Sequence, residues 1–114
     1  MLPDQVPGRG EGVWAPFFGE PAYTMSLPLR LAQSTGAAVI LALAVRTRSG
    51  WRLELKPWSD QPDLAETPMA LAAAAMNAAL EEQIARVPEQ YLWAYNRYKC
   101  PAGAPPPPAF EKPL

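Results

Sequence analysis

The stretch AAVILALAVRTRSGWRLELKP, residues 37–57, constrains the fold more than any other part of this chain. It opens with nine apolar, partly β-branched residues, Ala37–Val45, bounded by Gly36. A helix crossing a bilayer needs about 20 such residues, so this run cannot span one. Its length and its glycine boundary predict a strand buried on both faces, as in a parallel or mixed sheet. TRSG follows as a turn. WRLELKP then alternates, with Trp51, Leu53 and Leu55 on one side and Arg52, Glu54 and Lys56 on the other. That pattern predicts an antiparallel hairpin partner at a sheet edge, with one face in water.

Two helices frame this unit. Ser26 or Thr24 caps the first, which takes Pro28 in its first turn, runs through LPLRLAQST and stops at Gly36. The second starts at Thr67-Pro68 as N-cap and first helical residue, and Val87-Pro88 ends it. Met69, Ala73, Met76, Leu80 and Ile84 form its core stripe, while Glu81, Glu82 and Arg86 lie toward water. Upstream, Met1 to Pro3 reads as the end of a strand, with Asp4 and Gln5 just past it. Gly8, Gly10 and Gly12 make a flexible loop whose spacing is not that of a phosphate-binding fingerprint. VWAPFFG is a short extended segment that Pro16 confines to an edge or irregular position. The order of elements suits the second half of an α/β sandwich.

Composition narrows the function. At 114 residues and 49% apolar, the chain can bury one small core, and a net charge of −1 argues against general nucleic-acid binding. There is no histidine, so a Ser-His-Asp or Cys-His mechanism cannot operate within the chain. The single cysteine, Cys100, reads as a reduced thiol at the edge of the fold, with no zinc-site spacing around it. Neither a signal peptide nor a membrane span is evident. Much of the proline, 15 residues in all, sits in PAGAPPPPAFEKPL. Residues 1–100 are therefore expected to form the domain and 101–114 a disordered tail.

The densest aromatic stretch is PEQYLWAYNRYK, Pro88 to Lys99. It has three readings: an aromatic-basic helix packed on the domain, an interfacial membrane contact, or a platform for single-stranded nucleic acid. The charge disfavours the last. Packing is the default, with membrane contact a second role for Trp93, Arg97 and Lys99.

Several separate motifs stand in a fixed order: Leu2-Pro3-Asp4-Gln5, a glycine loop, Phe17-Phe18-Gly19, and Pro21-Ala22-Tyr23-Thr24. A helix ending in Thr35-Gly36-Ala37 follows, and then Pro88-Glu89-Gln90-Tyr91-Leu92-Trp93 and Asn96-Arg97-Tyr98-Lys99. Together they resemble the carboxyl-terminal part of bacterial lipid A biosynthesis acyltransferases, within the lysophospholipid acyltransferase superfamily. The resemblance covers Met1 to about Pro101. It implies the carboxyl-terminal half of a glycerol-3-phosphate-acyltransferase-like αβ sandwich, a mixed sheet flanked by helices, in truncated form. The implied activity is acyl transfer from acyl-carrier protein to a lipid A precursor, at the cytoplasmic face of the bacterial inner membrane, with neither cofactor nor metal. The family's catalytic pair is a histidine followed five residues later by an acidic residue. This chain matches neither, and its resemblance begins only at the third conserved block, so the chain alone is expected to be inactive. Asp4, Gln5, Arg9, Phe17, Phe18, Gly19 and Thr24 match positions expected to bind substrate. Arg9, in the pocket-side loop, leads Arg30, Arg46 and Arg48 as a contact for precursor phosphates. The alternative is a complementing piece that binds a separate amino-terminal half, or membrane lipid, without catalysing anything.

Overall fold

The computed structural model describes residues 1–8 and 10–109. Its elements are β1 (Gly12–Phe17), β2 (Glu20–Met25), α1 (Leu27–Thr35), β3 (Ile40–Thr47), β4 (Gly50–Pro57) and α2 (Met69–Arg86), followed by a 3-10 turn at Pro88–Gln90. The class is α/β. The expected mixed sheet does not form among the described residues: β1 pairs with β2 and β3 with β4, giving two separate two-stranded antiparallel sheets. Each strand takes its sequence neighbour because short turns bring it there, and α2 lies along β1 rather than bridging to a parallel strand.

The first hairpin closes through Phe18-Gly19, both with positive φ, 49° and 80°. This is the twist a two-residue turn needs between right-twisted strands, and Phe18 adopts it without glycine's freedom. Phe17 faces Glu20 and Pro16 faces Pro21 across the ladder. VWAPFFG is extended as its sequence implies, and β2, for which the sequence carries no comparable signal, pairs with it. Met1 to Pro3 is not a strand end; Pro3 and Asp4 sit in a turn. Gly12 has a packing cause, because a Cβ there would lie 2.7 Å from both Pro7 Cγ and the Thr24 carbonyl oxygen.

The α1 helix has the expected limits. Gly36 ends it in the left-handed conformation and donates its N–H to the Ala32 carbonyl, although Ser26 makes no side-chain cap bond. The α2 helix starts one residue later than expected, with Pro68 at the N-cap. Its alanines let it approach β1 closely: Ala72, Ala73, Met76 and Ala79 pack with Ala15, Leu29, Ala32, Trp58 and Leu64 in the main core. A second cluster joins Phe17, Ala22 and Ile84, with Tyr91 against it.

The second hairpin corrects the reading of residues 37–57. Val45 is buried, but Ile40, Ala42 and Ala44 are exposed, so β3 is covered on one face only. On β4 the covered face is the polar one. Trp51, Leu53 and Leu55 are 66%, 64% and 65% exposed. Glu54 instead pairs with Arg86 of α2 at 2.6 Å, and Lys56 approaches Glu82 at 3.8 Å. Glu82 and Arg86, expected toward water, thus tie α2 to the hairpin. The neighbouring guanidiniums, Arg86 first and then Arg52, hold the Glu54 carboxyl below its ordinary pKa.

Candidate functional site

The segment after α2 is not a helix. Beyond the 3-10 turn it folds back through successive turns and seals the open side of β1–β2. Arg97 is its anchor. In line with the packing reading of the segment and against the membrane role for this residue, it is 3% exposed, and its two terminal nitrogens donate to the Tyr23 carbonyl at 2.8 Å and to Thr24 Oγ1 at 2.9 Å. Its guanidinium lies 5.3 Å from the centre of the Phe17 ring. Burial lowers the Arg97 pKa, and the neighbouring Tyr91 and Asp4 oppose that shift.

Thr24 is the hub of this network. Its hydroxyl donates to the Ala22 carbonyl and accepts from both Arg97 and Asn77, so it is fully buried and fully used. Asn77 also donates to the Pro16 carbonyl at 3.2 Å, which fastens α2 to both strands. The sequence offered no signal for Asn77 beyond a polar residue beside an apolar helical stripe.

Around Phe17 the aromatic residues form a bowl. Phe17, Phe18, Tyr91, Trp93, Tyr95 and Tyr98 line a cavity of about 300 Å³, with Arg97 also in its wall. Phe18 packs edge-on to Phe17 at 4.8 Å and against Trp93 at 5.7 Å. Glu81 accepts a 2.6 Å hydrogen bond from the Phe18 amide, holding the turn in place. Glu81, read as a water-facing residue, is therefore part of the site's support. Tyr98 donates to the Phe17 carbonyl at 2.7 Å, and Trp93 to that of Pro88 at 2.7 Å. The Tyr91 hydroxyl donates to Asp4 at 3.1 Å, bringing the amino-terminal turn to the rim. Burial above all, then the Asp4 carboxylate, raises the Tyr91 pKa far above its ordinary value.

The structure thus gathers Asp4, Phe17, Phe18 and Thr24 around one centre. Phe18 and Gly19 form its turn, and Thr24 sits beneath it, closed off from solvent. Gln5 is exposed in the adjoining bend. Arg9 lies outside the described residues. Arg30, Arg46 and Arg48 do not line the bowl; Arg46 stacks 5.4 Å over Trp51 on the second hairpin. Gln90 bonds both the Arg46 amide and its carbonyl, pinning that hairpin to the carboxyl-terminal segment. Among the described residues, no cluster of three or more histidine, cysteine or acidic side chains is arranged to hold a metal, and no helix is long and apolar enough to cross a membrane.

The bowl is built from the turn Phe17-Phe18-Gly19 and the segment Pro88–Lys99, two of the parts that carry the sequence resemblance. The family of bacterial lipid A biosynthesis acyltransferases matches residues 1–100, and the chain belongs to it. The chain is 39% identical over 102 residues to the lipid A biosynthesis palmitoleoyltransferase of Escherichia coli K12, covering 87% of this chain and 32% of that protein. A lipid A biosynthesis acyltransferase of Shigella flexneri gives the same figures, 39% over 102 residues. The Escherichia coli K12 lauroyltransferase is 35% identical over 109 residues, 90% of this chain and 34% of the relative. The chain thus spans about a third of the length of these relatives.

Proposed function

We propose that this chain is the acceptor-side portion of a lipid A acyltransferase with the αβ sandwich fold. The whole enzyme would carry a long fatty acyl chain from acyl-carrier protein to a lipid A precursor, at the cytoplasmic face of the bacterial inner membrane. The observation that carries this reading is the family match across residues 1–100. The relatives bear palmitoleoyl and lauroyl in their names, which supports a fatty acyl group as the cargo. In this reading Asp4, Gln5, Arg9, Phe18 and Gly19 wall the acceptor pocket. Phe17 and Thr24 hold that wall in shape through Arg97 and Asn77. The catalytic histidine and its acidic partner come from the part of the family fold that this chain does not match, because the chain has no histidine.

The test is acyl transfer by the purified 114-residue chain, given an acyl-carrier-protein donor and a lipid A precursor. No transfer is expected from the chain alone. Transfer is expected once the histidine-bearing part of a relative is supplied. Turnover by the chain alone overturns this division of labour.

A second reading has its own observation. Phe18 and Trp93 are adjacent and exposed, Leu92 is exposed next to Trp93 in the chain, and Lys99 is exposed six residues on, a pattern suited to a headgroup-level contact. Arg97 drops out of that role because it is buried. Binding to anionic liposomes that falls on Trp93→Ser supports this reading, and binding that is unchanged counts against it.

A further inference from the structure

The β3–β4 hairpin has one face of mixed chemistry and one that is almost wholly apolar. The covered face holds Leu41, Leu43 and Val45 from β3 beside Glu54 and Lys56 from β4, and those charges reach α2. The uncovered face aligns Ala42 with Leu55, Ala44 with Leu53 and Arg46 with Trp51, and continues to Ile40. All of these positions are exposed, so the face is apolar almost from end to end. A strand with one wet face is ordinary, but its wet face should be the polar one. Here α2 takes the side on which β4 carries its charges, which leaves the apolar row of β4 facing outward.

We infer that this outer face is an interior surface of the larger family fold, covered by an amphipathic helix from the part of that fold lying outside this chain. The inference rests on the reading of the chain as one portion of an acyltransferase. Its first support is extent: the chain matches only 32–34% of its relatives, so about two-thirds of their length is available to supply the cover. Its second is layering. With α2 on one face, a helix on the other completes the helix–sheet–helix arrangement of α/β proteins. Its third is size. Strands of eight residues are about 26 Å long, and a pair of them matches the width of one helix, about 10 Å. Among the described residues no third strand pairs with either outer edge, and although Gln90 occupies the β3 edge at Arg46, the β4 edge is where a further strand of the same fold can join.

The experiment uses the full chain carrying Cys100→Ser and Leu53→Cys, so that alkylation reads the outer face. A parallel chain with Cys100→Ser and Arg30→Cys reports an exposed helix position. The probe is the segment of the Escherichia coli palmitoleoyltransferase outside the match, made as a separate polypeptide in detergent. Its addition is expected to slow alkylation at position 53 by about tenfold or more while leaving position 30 unchanged, as local protection requires. Leu53→Asp with Leu55→Asp is expected to abolish association while circular dichroism shows the chain still folded. Absence of association, unchanged alkylation at position 53, or association indifferent to the two aspartates overturns the inference. Protection that appears with rising concentration of the chain alone also overturns it, in favour of a second copy. Protection without acyl transfer spares this surface and sinks the catalytic reading; transfer without protection does the reverse.

Discussion

The two hairpins of this chain have the same local construction and opposite fates. In β1–β2, Phe17, Ala22, Tyr23 and Thr24 are buried, and both α2 and the carboxyl-terminal segment reach in with hydrogen bonds. In β3–β4, α2 reaches one face through exposed ion pairs, and the other face has no cover among the described residues. Hairpins are marginal alone and take their stability from what packs on them. The first is finished by this chain itself. The second is finished only in part.

This contrast can be broken by substitution. Phe17→Ala is expected to have the largest effect, about 3–5 kcal/mol from the cavity it leaves. Leu53→Ala, on the open face, is expected to stay within about 0.5 kcal/mol. Urea unfolding of both variants measures the difference, and equal losses would mean that the second hairpin is as closed as the first. Next comes the buried polar network. Arg97→Met leaves the Tyr23 carbonyl and the Thr24 hydroxyl short of a donor and is expected to cost about 2–3 kcal/mol. Asn77→Leu is expected to cost about 1–3 kcal/mol. Both residues bond Thr24, so the double variant should deviate from additivity by more than about 0.5 kcal/mol. Strict additivity would separate the two contacts.

Much of the fold was legible where its cause is local. Pro28 and Gly36 bracket α1, Pro68 and Val87-Pro88 bracket α2, and the alternation of WRLELKP marks β4. What the alternation could not say is which face the chain would cover, because that depends on Glu54 meeting Arg86 from a helix 32 positions away. The part Arg97 plays within the packed segment was hidden for a similar reason. Beside Tyr98 and Lys99 its charge suits a surface as well as a packed segment, and only its approach to Tyr23 and Thr24, 74 and 73 residues away, makes it a core residue. The turn at Phe18 was hidden because phenylalanine is a poor signal for positive φ. The motif residues were found as a group through the family resemblance, while their supports, Glu81 and Asn77, carry no local signal at all.

Titration sharpens the comparison with smaller effects. Tyr91 has a folded pKa raised above its ordinary value by burial and by Asp4. Below about pH 10 it is protonated in both states, and its contribution is whole. Above that the unfolded chain gives up the proton while the folded chain keeps it, so stability falls as pH rises toward the folded value. Tyr98 shifts in the same direction, chiefly through burial. Alkaline unfolding is therefore expected to follow the bowl, and Tyr91→Phe should flatten its pH dependence while removing the bond to Asp4. An unchanged alkaline slope in that variant would detach the bowl from the titration.

Glu54, on the second hairpin, gives the smallest effect and the opposite sign. Its carboxyl is held below the ordinary value by Arg86 and Arg52. The contribution is present above the unfolded carboxylate pKa, about 4.3, and disappears as pH falls through the folded one. Glu54 pairs with half-exposed arginines that water and salt screen, so Glu54→Gln should move the neutral-pH urea midpoint only slightly. High salt should erase even that difference. A large, salt-insensitive loss would instead mean that the Glu54–Arg86 contact is shielded from water, and that the hairpin is bound to α2 as firmly as β1–β2 is.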